Sequence, residues 1–121
     1  MSHTTTIETQ VRDPEAVKAA CKRLGLAGPI NGTTRLFDGE VCNGWAVQLQ
    51  DWNYPIVCDT DTGKVQHDNF GGRWGKQDKL DAFMAAYAVE KVKIEAKRKG
   101  HRCTEQRMPD GSVRITMTVG A

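Results

Sequence analysis

The sequence predicts an α+β fold in which a single antiparallel sheet carries two helices on one face, in the order β-α-β-β-β-β-α-β-β. Two segments repeat their apolar residues every three to four positions, as helices do, and the segments around them alternate with the period of strands. No linker, internal repeat or low-complexity stretch interrupts the 121 residues. They are therefore predicted to form one domain, residues 1–121.

The N-terminal part of the chain is predicted to contain a strand at residues 4–11 and a helix at residues 14–24. β-Branched residues dominate the strand. Asp13 is suited to cap the helix, Pro14 to occupy its first position, and Gly25 to follow its last residue. These start and stop signals predict a short amphipathic helix.

Four strands separated by turns are predicted in the middle of the chain. They are residues 33–37, 40–50, 54–59 and 64–67. An Asp-Gly pair at residues 38–39 and a Thr-Asp-Thr-Gly segment at residues 60–63 are typical hairpin turns. Trp45, Val47 and Leu49 share one face of the second of these strands, which we expect to be buried.

A long helix is predicted to begin near Asp78 and to end at Gly100, followed by a hairpin of residues 102–107 and 112–119. One apolar stripe of the helix consists of Leu80, Phe83, Met84, Tyr87 and Ile94. A second and smaller stripe consists of Ala85, Ala88, Val89, Val92 and Ala96. Two stripes are expected either of a helix deeply buried in its own domain or of one whose second stripe packs on another subunit. We therefore predict a homo-oligomer formed through the second helix.

The composition excludes several classes of protein. The formal net charge of +2 does not by itself indicate nucleic-acid binding. No apolar run is long enough for a membrane span and the first residues are polar, so neither a membrane protein nor a secretory signal is predicted and the cytoplasm is the expected location. The four cysteines form no CxxC pair, so reduced thiols, no metal site and no cofactor are predicted.

The charge is distributed unevenly along the chain. Residues 91–114 contain eight basic and three acidic side chains, a net charge of +5, whereas residues 51–70 carry a net charge of −3. This asymmetry suits an anionic ligand or head-to-tail association, although a solvated helix end matched to the helix dipole explains the same charges. An alternative function is RNA or single-stranded nucleic-acid binding through the basic end of the second helix. The residues concerned are Lys93, Lys97, Arg98 and Arg102.

Aromatic and guanidinium side chains in the middle of the chain suggest a ligand site. The candidate ligand-binding residues are His3, Trp45, Tyr54, Arg73 and Trp74. Such groups suit stacking on a base or nucleotide, and they equally suit an aromatic core or a protein interface. Trp74 is expected either to close the core at the start of the long helix or to form a stacking platform beside Arg73.

An enzymatic function is the third possibility. His3 with Asp59 and Asp61 offers groups for a hydrolase, since two aspartates two positions apart share one face of a strand. The same aspartates belong to an Asp-Thr-Asp-Thr-Gly segment that is typical of a hairpin turn, and the turn is the favoured interpretation. No catalytic residue is therefore predicted.

Several short blocks near both ends of the chain follow a known pattern. They are Ser2-His3 with Thr5-Thr6-Ile7; Asp13, Glu15, Val17 and Ala20; Asp68 with Trp74-Gly75; Phe83 with Tyr87-Ala88; and residues 95–101 with Glu105 and residues 110–113. In these blocks the chain resembles the DUF1257 family, which includes the Ycf35 proteins of plastids and cyanobacteria and has bacterial and phage members. The resemblance implies a fold and a soluble location but no activity.

Taken together, these observations predict a small non-catalytic binding protein. It is expected to act through self-assembly and through a protein or a small anionic partner, for which a nucleotide-like molecule is one option. Nucleic-acid binding is the alternative, and a hydrolase is the further alternative.

Overall fold

The computed structural model describes residues 5–7, 10–36, 38–68 and 72–118. Its helices are α1 (Pro14–Arg23) and α2 (Gln77–Arg98). Its strands are β1 (Thr5–Ile7), β2 (Ile30–Arg35), β3 (Val41–Val47), β4 (Ile56–Asp59), β5 (Lys64–His67), β6 (Arg102–Arg107) and β7 (Val113–Thr118). The predicted α+β class and the predicted order of helices and strands are confirmed.

The strands form two sheets in place of the predicted single one. Five antiparallel strands make the main sheet in the order β1-β5-β4-β3-β2, and β6 pairs only with β7. The chain leaves α2 at Arg98 and begins β6 at Arg102, so it turns back onto α2 before it reaches an edge of the main sheet. We call the β6–β7 hairpin the C-terminal ribbon.

The main core lies between both helices and one face of the main sheet. Val47 from β3, Cys58 from β4 and Val65 from β5 reach this face and are fully buried. The helices contribute the buried residues Val17, Ala20, Cys21, Leu80, Phe83, Ala86 and Tyr87. Both helices therefore lie on the same face of the sheet, as the apolar periodicity predicts.

A second and smaller cluster lies on the opposite face of the main sheet. Val57 alternates with Ile56 and Cys58 along β4, so its side chain points away from the helices. Val57 packs there with Leu36 and Cys42, and half-buried Tyr54 covers the cluster. The sheet is thus closed by helices on one side and by an aromatic side chain and its neighbours on the other.

Candidate functional site

Most residues of the C-terminal ribbon are exposed, and many of them are polar or charged. The helix before it ends in a tight turn in which His101 donates its backbone N–H to the carbonyl of Ala96 at 2.8 Å. At the ribbon's tip, an Asp110 carboxylate oxygen accepts hydrogen bonds from the Ser112 N–H (2.9 Å) and hydroxyl (2.6 Å). These bonds lower the pKa of Asp110 and fix the turn between the strands.

The two faces of the ribbon differ in chemistry. In the strand register, directly opposed residues share a face. The outer face consists of Arg102, Thr104, Gln106, Arg114, Thr116 and Thr118, all exposed. The inner face consists of Cys103, Glu105, Arg107, Val113, Ile115 and Met117, and three of these, Cys103, Val113 and Ile115, are half-buried. The outer face therefore combines two cations with four hydrogen-bonding side chains and no carboxylate.

Ion pairs hold the inner face of the ribbon against both helices. Arg23 of α1 donates two hydrogen bonds to the carboxylate of Glu105, at 2.9 and 2.6 Å, and a third to Glu90 of α2 at 3.3 Å. The Lys93 ammonium lies 3.4 Å from Glu90 and 3.6 Å from Glu105. The hydrogen bonds from Arg23 hold the pKa of Glu105 below its usual value. Together these contacts fix which face of the ribbon points outwards.

A second ionic cluster joins the start of α1 to the end of α2. The Asp13 carboxylate accepts the N–H of Glu15 at 3.0 Å as the helix cap, and its other oxygen binds Lys91 at 3.0 Å and Arg98 at 3.4 Å. Arg98 also binds Glu15 at 2.8 Å and Glu95 at 3.1 Å. These contacts hold the two helices together at one end.

These clusters divide the four residues of the predicted nucleic-acid site. Lys93 and Arg98 are engaged in ion pairs within the protein, so their charges are already partly compensated. Lys97 and Arg102 are exposed. Together with exposed Lys99, Arg107 and Arg114, these two form no ion pair with any residue that the structure describes. The free positive charge of the described chain end therefore lies on the ribbon and the last turn before it.

The aromatic candidates occupy two separate places. Tyr54 and Trp74 lie together, with ring centroids 5.6 Å apart and ring planes tilted by 53°. The N–H of Asn53 donates to the Trp74 carbonyl at 2.8 Å and so ties the two loops, while the neighbouring Arg73 is exposed. Tyr54, Trp74 and Arg73 thus form one local group.

Trp45 does not belong to this group. It packs against the main core, on the helix side of the sheet, while Tyr54 covers the cluster on the other side. The Lys18 ammonium lies 4.8 Å from the centre of the Trp45 ring. Trp45 also lines an open polar cleft of about 420 Å³ with Asn31, Asn43 and Asp59. Trp45 and Tyr54 therefore do not share one site, and predicted His3 lies outside the described residues.

Trp52, an aromatic residue of the same part of the chain that was not among the candidate ligand-binding residues, fills the core-closing position expected of Trp74. Trp52 is 5% exposed, and its indole N–H donates to the carbonyl of Lys76 at 3.1 Å, directly before α2. A Cβ atom at Gly75 would overlap the Trp52 ring, so only glycine fits there. His67 meets the same indole edge-on at 5.7 Å. Trp52 therefore closes the core at the start of the long helix.

His67 is a buried histidine from which we expect a pH dependence of stability. It is 5% exposed, its Nδ1 has no hydrogen-bond partner among the described residues, and burial lowers its pKa although the charge of Asp68 acts in the opposite direction. The folded protein therefore binds a proton less readily than the unfolded chain, whose histidine keeps an ordinary pKa of about 6.5.

We expect the free energy of unfolding to fall as the pH drops below about 6.5 towards the lower pKa of folded His67. The measurement is urea unfolding at about pH 7.5 and about pH 5.5, a range above that in which carboxylates titrate. His67→Gln should flatten the pH dependence relative to the parent protein. Equal slopes in both proteins would contradict this role, because the other histidines are common to both.

Of the residues considered for a hydrolase, the structure shows a role for the Asp59 side chain. An Asp59 carboxylate oxygen accepts the N–H groups of Asp61 (3.1 Å) and Thr62 (3.4 Å), so the segment is a capped hairpin turn. Among the described residues no cluster of three histidine, cysteine or acidic side chains is suited to a metal ion. Burial raises the pKa of the Cys58 thiol to about 12, the reverse of what a nucleophile requires.

The comparisons with known proteins give no further indication. Protein-family models, curated proteins and solved structures all yielded no match to this chain. Within the described residues, no helix is both long and apolar enough to cross a membrane. The resemblance to the DUF1257 family and the cytoplasmic location stay predictions.

Proposed function

We propose that the chain is a non-catalytic binding module that works as a homodimer through α2 and binds an anionic partner on the outer face of the ribbon. The observation that carries the dimer is the second apolar stripe of α2, in which Ala96 is buried and Val89 half-buried but the other three residues are exposed. Ala85 and Ala88 are exposed, and Val92 is 39% exposed. Small side chains in such a stripe allow a second helix to approach closely.

The spacing of this stripe favours a second copy of the same helix as the partner. Residues recur three and four positions apart along one line of α2, as in a coiled coil. The exposed members are Asp78, Asp81, Ala85, Ala88 and Val92, and the line continues through half-buried Glu95 to exposed Lys99, the residue directly after α2. The line is centred between Ala88 and Val89, close to the middle of a helix of 22 residues that is about 33 Å long. Two antiparallel copies would therefore overlap along their whole length.

The charges at the two ends of the line favour the same arrangement. In the antiparallel pair, Ala85 faces Val92 of the second copy, and Asp78 faces Lys99 of the second copy. A two-fold axis repeats each of these contacts, so a single charge pair counts twice in the dimer. The like-charged encounter of Asp81 with Glu95 is moderated, because Glu95 already binds Lys91 at 2.7 Å and Arg98 at 3.1 Å.

We expect Ala88→Glu to convert the dimer to a monomer, since it places two carboxylates at the two-fold axis. Light scattering after size exclusion should give twice the chain mass for the parent protein and the chain mass for this variant. Ala82→Glu is the matched control, because Ala82 is an exposed alanine of the same helix that lies off the line.

A charge exchange tests the orientation of the helices. Asp78→Lys should weaken the dimer, and Lys99→Asp in the same chain should restore it. A parent protein that is monomeric at all concentrations would overturn the dimer. A dimer that Ala88→Glu leaves intact would show that another surface forms it.

The positive charge of the ribbon's outer face favours an anionic partner. Arg102 and Arg114 lie on it, and Lys97 and Lys99 precede it along the chain. The carboxylate of the inner face belongs to Glu105, which is bound by Arg23 and faces the helices. The outer face therefore presents two arginines among exposed polar side chains along both strands, which fits an extended anion better than a small one.

A further inference from the structure

We propose that the anionic partner is double-stranded DNA and that the outer face of the C-terminal ribbon enters its major groove. This inference rests on the proposed role of the ribbon as the anion-binding surface, but it does not require the dimer. It specifies both the kind of partner and the contacts, which are hydrogen bonds from the ribbon to the edges of the bases.

The side chains of the outer face are those that recognise base edges. Arginine binds the O6 and N7 acceptors of guanine, glutamine can pair with adenine, and threonine offers a hydroxyl together with a methyl group that contacts thymine. Arg102, Gln106 and Arg114 supply the long groups, with Gln106 directly opposite Arg114 in the register. Thr104 and Thr116 oppose each other, and Arg102 opposes Thr118, so a long side chain is present at each end of the outer face and short ones lie at its middle.

The dimensions of the ribbon match the groove. The major groove of B-form DNA is about 12 Å wide and admits a two-stranded ribbon, whose strands are about 4.8 Å apart. Each strand has six residues, so the ribbon is about 20 Å long. At about 3.4 Å per base pair it would span roughly six base pairs. Exposed Lys97, in the last turn of α2, is placed to contact a flanking phosphate.

The same face disfavours the other nucleic acids. Single strands are held chiefly by aromatic side chains on which the bases stack, and the outer face carries none. The major groove of double-stranded RNA is too deep and narrow for side chains to read. DNA in its duplex form is the nucleic acid whose groove the ribbon fits.

The test compares four probes at the same salt concentration by fluorescence anisotropy. They are a 20-base-pair duplex DNA of random sequence, the corresponding single strand, the corresponding double-stranded RNA, and heparin. Poly-glutamate serves as a fifth probe for an acidic protein partner. We expect the duplex DNA to bind most tightly and its affinity to fall steeply with added salt.

Variants of the outer face identify the surface. Arg114→Gln should weaken duplex binding roughly tenfold or more, and adding Arg102→Gln should weaken it further. Arg35→Gln is the matched control, because Arg35 is an exposed arginine on β2 of the main sheet. Since all three arginines are exposed, every variant should have the thermal unfolding temperature of the parent protein. A variant that unfolds at a lower temperature is replaced by Thr116→Val, which changes another residue of the outer face.

The outcomes separate the DNA proposal from the broader function. Heparin or poly-glutamate could bind as tightly as duplex DNA, or more tightly, with Arg114→Gln weakening that binding. This result would overturn the DNA proposal and would leave the ribbon as a general anion-binding surface. Duplex binding that Arg114→Gln and Arg35→Gln affect equally would place the site elsewhere and overturn the proposal. Binding of none of the probes would overturn both proposals, and the mass of the protein would still decide the dimer.

Discussion

Replacing Trp52 with alanine is expected to lower the free energy of unfolding by about 3–5 kcal/mol, the range for removing a large aromatic side chain from a core. The indole is 5% exposed, lies against Gly75 and His67, and donates a hydrogen bond to the Lys76 carbonyl at the start of α2. The variant loses these contacts and leaves a cavity between the main sheet and the long helix. Urea unfolding followed by circular dichroism measures the loss.

Trp74→Ala is the matched control for this prediction. Trp74 is half-buried and packs on Tyr54 outside the main core, so its removal should cost about 1–2 kcal/mol, much less than the removal of Trp52. Gly75→Ala tests the same contact from the other side, because the added methyl group overlaps the indole and overpacking typically costs about 1–3 kcal/mol. A larger loss in Trp74→Ala than in Trp52→Ala would mean that Trp74 closes the core.

The helices could be predicted from the sequence because their signals are local. Asp13 and Pro14 mark the start of α1, and the predicted start of α2 at Asp78 lies one residue from its observed start at Gln77. Such signals depend on hydrogen bonds and dihedral angles within a few residues. The hairpin of β6 and β7 is predictable for the same reason, since Pro109, Asp110 and Gly111 between the strands are typical turn residues.

The division of the strands into two sheets could not be predicted in this way. Strand β1 pairs with β5, and this pairing places Thr5 beside His67. The two strands are the first and the last of the main sheet along the chain. Alternation of side chains tells which residues share a face but does not tell which strand lies beside which. The prediction of a single sheet was wrong in this respect, because the ribbon is held by helices through ion pairs that link Glu105 to Arg23.

The candidate site shows the same limit at the level of single residues. The sequence identifies the basic end of α2, but the partners of Arg98 include Asp13 and Glu15, more than 80 residues away. Exposed Arg114 and bound Arg98 therefore look alike in the sequence. The signal that could have identified the ribbon's outer face is the alternation within residues 102–107, where the carboxylate of Glu105 falls on one face and Arg102 on the other.

Asp13→Ala is expected to lower the free energy of unfolding by about 2–3 kcal/mol, combining about 1 kcal/mol for a lost helix cap with the loss of hydrogen bonds to cations. Burial acts to raise the pKa of Asp13, but the hydrogen bond and charge of Lys91, with the N–H of Glu15, outweigh it and lower the pKa. The carboxylate thus stabilises the fold in its charged form. That contribution is complete above the ordinary aspartate pKa of 3.8 and is lost as the pH falls through the lower pKa of the folded state.

Asp13→Asn separates the two contributions, because the amide oxygen still accepts the Glu15 N–H while the charge is removed. We expect about half of the loss seen with alanine at pH 7, and no difference from the parent once the pH lies below the folded pKa of Asp13. Glu15→Gln is the control, since its exposed ion pair with Arg98 should contribute less than about 1 kcal/mol. If Asp13→Asn matched the parent at pH 7, the cap alone would account for Asp13, and the bonds to Lys91 and Arg98 would add nothing to the joining of the two helices.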